Sequence, residues 1–254
     1  MCVYNGRRVT KAEFIRLKEM EKALGALEEM DVGIQYGYDY GDWPILKPTE
    51  DKSGFDIVMA HWELLPPVVP DSNFLHAFRK EYNTLNAKGE TFLRSPLYRE
   101  SALHSRCLVL STGFFEFRDV PKTGKKGQVL KASRKIPYYV TLPGKPYFFM
   151  AGISQQVLDG ESGELVETFS MVTTEANELM QQVHNVKHRM PTILPEDLAY
   201  EWLFGDLNET RIRELAIYQY PASEMSACSV GKDFRNAADP SEAFLYGDVP
   251  ELLL

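Results

Sequence analysis

The middle of the chain contains apolar segments separated by short turn sequences. Ile136–Leu142 and Pro146–Ser154 read as strands joined by Pro143-Gly144-Lys145. A second glycine-containing turn, Asp159–Gly163, leads into a third strand, Glu167–Thr174. Connections of this length and composition are typical of β-hairpins. The centre of the chain therefore predicts an antiparallel sheet.

Helical patterns flank these strands. Residues 10–30 read as an amphipathic helix behind a capping box, and Pro195 and Asn208 open two further helices. Asp56–Trp62 and Cys107–Leu110 are apolar enough to be buried strands. There is no internal repeat and no linker. We expect an α+β fold, with a β-rich antiparallel core and flanking helices, in a single domain spanning 1–254.

Composition narrows the functional class. Three cysteines, odd in number and far apart, argue against a disulfide framework or a structural zinc site and favour a reducing cytoplasm. No segment approaches 18 apolar residues, so neither a membrane span nor a membrane partner is expected. The net charge of −8 argues against indiscriminate binding of nucleic acid.

One stretch reverses that charge. Residues 118–135 carry seven basic side chains and one acid, and Gly124 and Gly127 indicate a loop or hairpin tip. Such a run is usually a solvated loop, and the other reading is a contact with a polyanion. Lys122, Lys125 and Lys126 are its candidate contacts to such a polyanion.

Cys2 offers unusual chemistry if the initiator methionine is removed. The residue would then carry a free α-amine and a thiol, both partly in their nucleophilic forms near neutral pH. A 1,2-aminothiol condenses with an aldehyde to an imine, which the thiol closes to a five-membered thiazolidine. Alone, a cysteine at position 2 is weak evidence for this chemistry.

Three other residues could carry proton-transfer chemistry. Glu116 lies among phenylalanines, where burial would raise its pKa towards neutrality, although a strand residue facing solvent would fit equally well. His184 and His188 follow a predicted helix four residues apart. With no acidic third ligand, a metal site is not expected.

Several segments, in order along most of the chain, resemble the SOS-response-associated peptidase (SRAP) family of abasic-site processing proteins. The segments are Met1-Cys2, Trp62–Pro66, Asn86–Glu90, Arg106–Val109, Gly113–Phe117, Ala151–Ile153, Thr173–Asn177 and Arg189–Leu194. The resemblance implies a compact β-rich fold with a barrel-like core and a groove for single-stranded DNA that contains abasic sites. It implies no cofactor, and we expect a cytoplasmic monomer that joins the nucleoid when bound to DNA.

The resemblance also implies roles for individual residues. Cys2 would form the thiazolidine crosslink after loss of Met1, and the family's peptidase label implies that the protein removes Met1 itself. Asn86 would hold the cysteine or the sugar, Glu116 would protonate the sugar oxygen, and His184 would assist proton transfer and reversal. Trp62, Lys88 and Arg189, together with the three lysines of the basic run, would contact the DNA.

The chain departs from the family pattern at several places. Tyr4 stands where the family has an arginine after the cysteine, and Arg7 and Arg8 are the nearest substitutes. Glu63 replaces a glycine and Lys88 an arginine. Three extra residues stretch the family's His-x-Arg-Met-Pro, so either histidine fits; His184 is favoured because an asparagine follows it.

Two other functional classes remain open from sequence. The protein could be a cysteine hydrolase that uses Cys2 as an N-terminal nucleophile on amides. It could instead be a non-catalytic single-strand-binding module in which only the basic run matters. Activity on peptides would favour the first class, and unchanged DNA retention on replacing Cys2 the second.

Overall fold

A computed structural model describes residues 4–7, 33–124, 126, 128–145 and 147–253. The predicted helix at 10–30 and residues Met1 and Cys2 lie outside the described residues, as do Arg8 and Lys125.

The strands of the described residues form two sheets. Numbered in chain order they are β1 Tyr4–Arg7, β2 Gly33–Tyr36, β3 Asp42–Pro48, β4 Phe55–Trp62, β5 Val68–Val69, β6 Asn86–Lys88, β7 Arg106–Ser111, β8 Gly113–Thr123, β9 Val129–Thr141, β10 Phe148–Asp159, β11 Leu165–Glu175, β12 Arg189–Pro191, β13 Ile193–Leu194 and β14 Ser226–Ser229. One sheet has the order β14-β9-β8-β1-β2. The other has the order β12-β11-β4-β3-β7-β10-β13, with β5 beside β10 and β6 beside β11.

The second sheet closes on itself. Because β10 also pairs with β11, the strands β11, β4, β3, β7 and β10 form a ring. Most of its pairs are antiparallel, but β4 and β6 run parallel to β11. The expectation of a β-rich α+β fold with a barrel-like core is confirmed, and the predicted strands appear as β4, β7, β9, β10 and β11.

Five helices lie around the sheets in the described part of the chain. They are α1 Ser72–Glu81, α2 Arg99–His104, α3 Glu178–Val183, α4 Glu196–Phe204 and α5 Glu209–Ala216. Side-chain caps start three of them: Asp71, Asn177 and Asn208 each accept a hydrogen bond from a backbone N–H three residues on, at 2.7–3.0 Å. The helix start predicted at Asn208 is thus confirmed.

Strands β3 and β7 are apolar on both faces because both of their faces are covered. Ile45 and Val109 pack with Phe114 of the five-stranded sheet, whereas Leu46 and Leu108 belong to a second cluster with helices α4 and α5. A strand buried on both sides needs a continuous apolar run rather than an alternating one. This accounts for the apolar stretch at 107–110.

The five-stranded sheet positions the site. Strand β8 lies between β1 and β9, with Tyr4 opposite Phe115 and Glu116 opposite Tyr138. It begins at Gly113, where a Cβ would meet the ring of Tyr139 at 2.2 Å, so only glycine fits there. The outer half of the β8–β9 hairpin extends into solvent, since residues 129–133 are all exposed.

Candidate active site

Alternation along β8 turns Glu116 inward. Phe114 packs in the main core, while Phe115 and Phe117 belong to a cluster on the opposite face. With side chains alternating every residue, Glu116 shares the face of Phe114. It is only 3% exposed. Burial raises the pKa of its carboxyl to about 7, against the smaller opposing effects of the Phe117 N–H, Lys187 and Lys135.

His184 faces this carboxyl from the end of α3. Its Nδ1 lies 3.7 Å from Glu116 Oε1 and 2.8 Å from the carbonyl oxygen of Arg189. Burial lowers the pKa of the imidazole to about 4, although the Arg189 carbonyl favours the charged form. The ring is therefore neutral at pH 7, so the pair is not an ion pair. Because a carbonyl can only accept, Nδ1 carries the hydrogen and Nε2 carries the lone pair of the ring.

The three extra residues form a turn that is anchored to β8. Asn185 accepts a hydrogen bond from the Asp119 N–H and donates one to the Asp119 carbonyl, both at 2.9 Å. The turn ends at His188, which has a left-handed φ of 49° and is exposed. The structure thus places His184 beside Glu116 and His188 at the surface.

A pocket of about 330 Å³ opens beside Glu116 and His184. Its lining is aromatic and charged: Tyr4, Tyr36, Tyr38, Phe117, Asp119, Lys135, Val186 and Lys187, besides the pair itself. Lys135 and Lys187 are exposed cations at its rim. Sequence reasoning included Lys135 in the basic run at 118–135 but did not single out Lys187. Lys187 lies in the inserted turn, and that insertion was the available signal.

Asn86 lies in β6, beside Met171 of β11, and does not line this pocket. It is 7% exposed, and neither polar atom of its amide has a hydrogen-bond partner among the described residues. A buried amide left unpaired costs about 1–3 kcal/mol per group, so a partner is expected from a ligand or from residues that the structure does not describe.

A short network joins the Asn86 segment to His184. Glu90 binds Arg189 through two hydrogen bonds at 2.8 and 2.9 Å, and the Arg189 guanidinium also donates to the Thr173 carbonyl. The backbone carbonyl of Arg189 accepts a hydrogen bond from Nδ1 of His184. Arg189 was predicted to contact DNA, but its outer nitrogens are occupied by protein oxygens and it orients His184 instead.

The prediction that Trp62 contacts the DNA is wrong. Its ring is 0% exposed, stacks on Phe169 and donates its N–H to the Leu85 carbonyl at 3.0 Å. A ring without exposed surface has no face for a base. The charge of Glu63 next to it is compensated by Arg79, whose Nε and Nη2 donate hydrogen bonds to Glu63 Oε2 at 2.9 and 2.7 Å.

The cations predicted to bind DNA lie in two places. Lys88 is exposed at the end of β6, and Lys122 and Lys126 are exposed on the outer part of the β8–β9 hairpin. Two arginines of the basic run are occupied: Arg118 donates to the Pro250 carbonyl, and Arg134 pairs with Asp248.

Neither a metal cluster nor a membrane helix is found in the described ranges. They contain no group of three His, Cys, Asp or Glu side chains that could hold a metal ion. None of the helices among them is long and apolar enough to cross a membrane.

Comparison with known proteins gives consistent matches. Residues 6–237 match the sequence model of the family described as SOS response associated peptidase (SRAP). Abasic site processing protein YoqW of Bacillus subtilis is 28% identical over 187 residues, 73% of this chain and 74% of its own. Abasic site processing protein HMCES of Gallus gallus is 26% identical over 196 residues, 69% of this chain and 53% of its own. A crystal structure of a Bacteroides thetaiotaomicron protein superposes with a TM-score of 0.80 and 28% identity, over 96% of this chain and 100% of that one.

Proposed function

The chain belongs to the SOS response associated peptidase (SRAP) family, and from this premise we propose that it processes abasic sites in single-stranded DNA through a covalent bond to Cys2. The observation that carries the proposal is the buried Glu116–His184 pair at a pocket lined by Tyr4. Two residues span at most about 7 Å of chain, so the covalent link to Tyr4 limits how far Cys2 can lie from that pocket.

The reaction begins with the N-terminus. Hydrolysis of the Met1–Cys2 bond, by the protein itself in this proposal, consumes one water and frees the α-amine of Cys2. The amine adds to the C1′ aldehyde of the ring-opened abasic sugar, and loss of water gives an imine. The thiol sulfur then adds to the imine carbon while its proton passes to the nitrogen, which closes the thiazolidine.

Glu116 is suited to the proton transfers of this sequence. A carboxyl whose pKa is about 7 is present in both forms at neutral pH. The protonated form can donate to the sugar ring oxygen as the ring opens and to the hydroxyl that leaves as water. The ionised form can accept the proton that the amine loses on addition. Such groups contribute about 10²–10⁴-fold to rate.

His184 complements Glu116 as a neutral base. Its Nδ1–H is committed to the Arg189 carbonyl, so Nε2 is the nitrogen that can take a proton. Because its pKa is about 4, the imidazole stays neutral across the physiological range. In the reverse direction this nitrogen can receive the proton released as the thiazolidine opens.

Binding of the strand uses the remaining polar groups. Asn86 has an amide oxygen and nitrogen without described partners, and both can serve the sugar hydroxyls or the nucleophile. Lys88 and the hairpin lysines Lys122, Lys125 and Lys126 would contact phosphates and set affinity without reading sequence.

Intact mass spectrometry with a uracil-derived abasic single strand tests the proposal. The purified protein should lack Met1 and should gain one strand minus one water. Cys2→Ser keeps the amine and should lose the heat-stable adduct. Retention of Met1 in protein that still forms the adduct, or a heat-stable adduct with Cys2→Ser, would contradict the thiazolidine.

Glu116→Gln tests the acid–base role in the same assay. It should slow crosslinking by about 10²-fold or more while leaving single-strand affinity unchanged. Glu167→Gln is the matched control, since that carboxylate also lies on a strand with little exposure but binds Lys47 at 2.7 Å, away from the pocket. Equal rates for the two variants would make Glu116 an ordinary structural residue.

A further inference from the structure

The turn that follows β14 is fixed against the outer face of the five-stranded sheet. Its Phe234 is 4% exposed and packs on Phe115 with ring centroids 4.6 Å apart and on Tyr4 at 5.6 Å. Phe234 begins a single 3-10 turn, Phe234–Asn236. The position of the next residue, Arg235, is therefore set by a buried anchor rather than by a free loop.

Arg235 lies on two tyrosine rings. Its guanidinium carbon is 4.5 Å from the ring centroid of Tyr4 and 4.3 Å from that of Tyr36. These tyrosines are opposite each other on β1 and β2 and stack at 4.5 Å. The two rings hold the face of the guanidinium, as cation–π contacts do.

The edge of this guanidinium is uncommitted. Within the described part of the chain Arg235 has no carboxylate within 4.0 Å and no hydrogen-bond acceptor, and it is exposed. The acid beside it, Asp233, accepts a hydrogen bond from Asn236 instead. By contrast, Arg118, Arg134 and Arg189 all donate to protein oxygens. Arg235 thus keeps its five N–H donors for another partner.

We infer that Arg235 binds a backbone phosphate of the DNA strand beside the nucleotide that reacts in the Glu116–His184 pocket. The inference rests on the proposed function for the identity of the ligand. Tyr4 and Tyr36, which carry Arg235, also line the pocket, and Lys135 and Lys187 stand at its rim. A planar guanidinium held by its face presents its N–H edge to the two oxygens of a phosphate.

Arg235 is a further candidate for the arginine that the family pattern has two residues after the cysteine. Arg7 and Arg8 were the nearest candidates along the chain. Tyr4 stands in that position here, and its ring supports the guanidinium of a residue from the far end of the chain.

The test measures non-covalent binding, so it does not depend on the crosslinking reaction. The probe is a fluorescein-labelled single strand with one tetrahydrofuran abasic analogue, which has no aldehyde, and fluorescence anisotropy gives Kd at several salt concentrations. Arg235→Gln should raise Kd about tenfold, as expected for loss of one charge-assisted contact. It should also make the slope of log Kd against log salt shallower by about 0.7, the value for one phosphate on a single strand.

Two further variants make the result specific. Arg94→Gln is the matched control, because Arg94 is also an exposed arginine on a 3-10 turn that contains a buried phenylalanine. Arg94 has no ion pair within the described residues and does not line the pocket, so Arg94→Gln should change neither quantity. Arg235→Lys should keep the salt slope but lose part of the affinity, since an ammonium cannot make the bidentate contact.

The outcomes separate the two ideas. If Arg235→Gln binds like Arg94→Gln, Arg235 only covers the tyrosines and the inference is refuted. If thermal unfolding shows that Arg235→Gln is not folded, Arg235→Met, which keeps apolar cover on the rings, takes its place with the same expectations. Absence of a covalent adduct between wild type and a natural abasic strand would refute the proposed function and leave this binding comparison intact.

Discussion

Removal of the Glu116 charge should stabilise the fold at alkaline pH. The folded-state pKa is raised from 4.5 to about 7, chiefly by burial. The folded protein therefore binds the Glu116 proton more tightly than the unfolded chain does. The contribution of this proton to the stability of the fold is complete below the pKa of the unfolded chain, 4.5, and is lost as pH rises through about 7. Above that pH the fold must hold a buried carboxylate.

The size of this effect follows from linkage. One pKa unit corresponds to about 1.4 kcal/mol, so the full shift is worth about 3 kcal/mol. Glutamine resembles the protonated carboxyl and does not ionise. Relative to wild type, Glu116→Gln should thus gain about 1 kcal/mol at pH 5 and about 3 kcal/mol at pH 8. For a chain of this length, that corresponds to a difference in Tm of about 10 °C at pH 8.

Thermal and urea unfolding at pH 5, 6, 7 and 8 would measure the difference. Glu167→Gln serves again as control and should not be more stable than wild type, because it removes the carboxylate that binds Lys47. A difference between Glu116→Gln and wild type that is independent of pH, or a loss of stability at pH 8, would refute the reasoning. The confirming result is a variant that is more stable and yet impaired in crosslinking, as expected for a residue retained for chemistry.

Three other outcomes are expected. The crosslinking rate of wild type should be bell-shaped in pH, because protonation of the α-amine limits it on the acid side and loss of the Glu116 proton limits it on the alkaline side. In Glu116→Gln the fall at alkaline pH should be absent, and a fall that persists would contradict the role of Glu116 as the acid. His184→Ala should slow formation and reversal of the adduct at saturating DNA, whereas His188→Ala should match wild type; the opposite order in gel-based kinetics would reassign the histidine. Replacement of Lys122, Lys125 and Lys126 together by alanine should weaken single-strand binding and flatten its salt slope by about 1.4–2 if two or three phosphates are contacted; an unchanged slope in anisotropy titrations would remove the hairpin from the DNA-binding surface.

Local patterns were sufficient for only part of the secondary structure, since five of the fourteen strands in the described part of the chain were predicted. The caps at Asp71 and Asn208 and the apolar strand at 107–110 depend on side chains within a few residues of one another. Their energetics are therefore visible in sequence. The hairpin with the basic run at its outer end is a local feature as well. Closure of the barrel is not local, because it depends on β11 pairing with both β4 and β10.

The chemistry of the site was decided by tertiary structure. By sequence, Glu116 was equally compatible with solvent, and only the cover from α3 and the barrel makes it buried and raises its pKa. The two histidines were separated by the turn that Asn185 fastens to β8, a contact across 66 residues of chain.

Residue type alone also predicted poorly which side chains are exposed and available to bind DNA. Trp62 and Arg189 belong to types that bind nucleic acid, but one fills the core and the other is held by Glu90. Arg235 carried no sequence signal, and packing of Phe234 brings it to Tyr4 from the other end of the chain. Burial and long-range pairing determine which charged side chains remain free for a ligand. Both depend on residues that are distant along the chain, so the adjacent sequence does not reveal them.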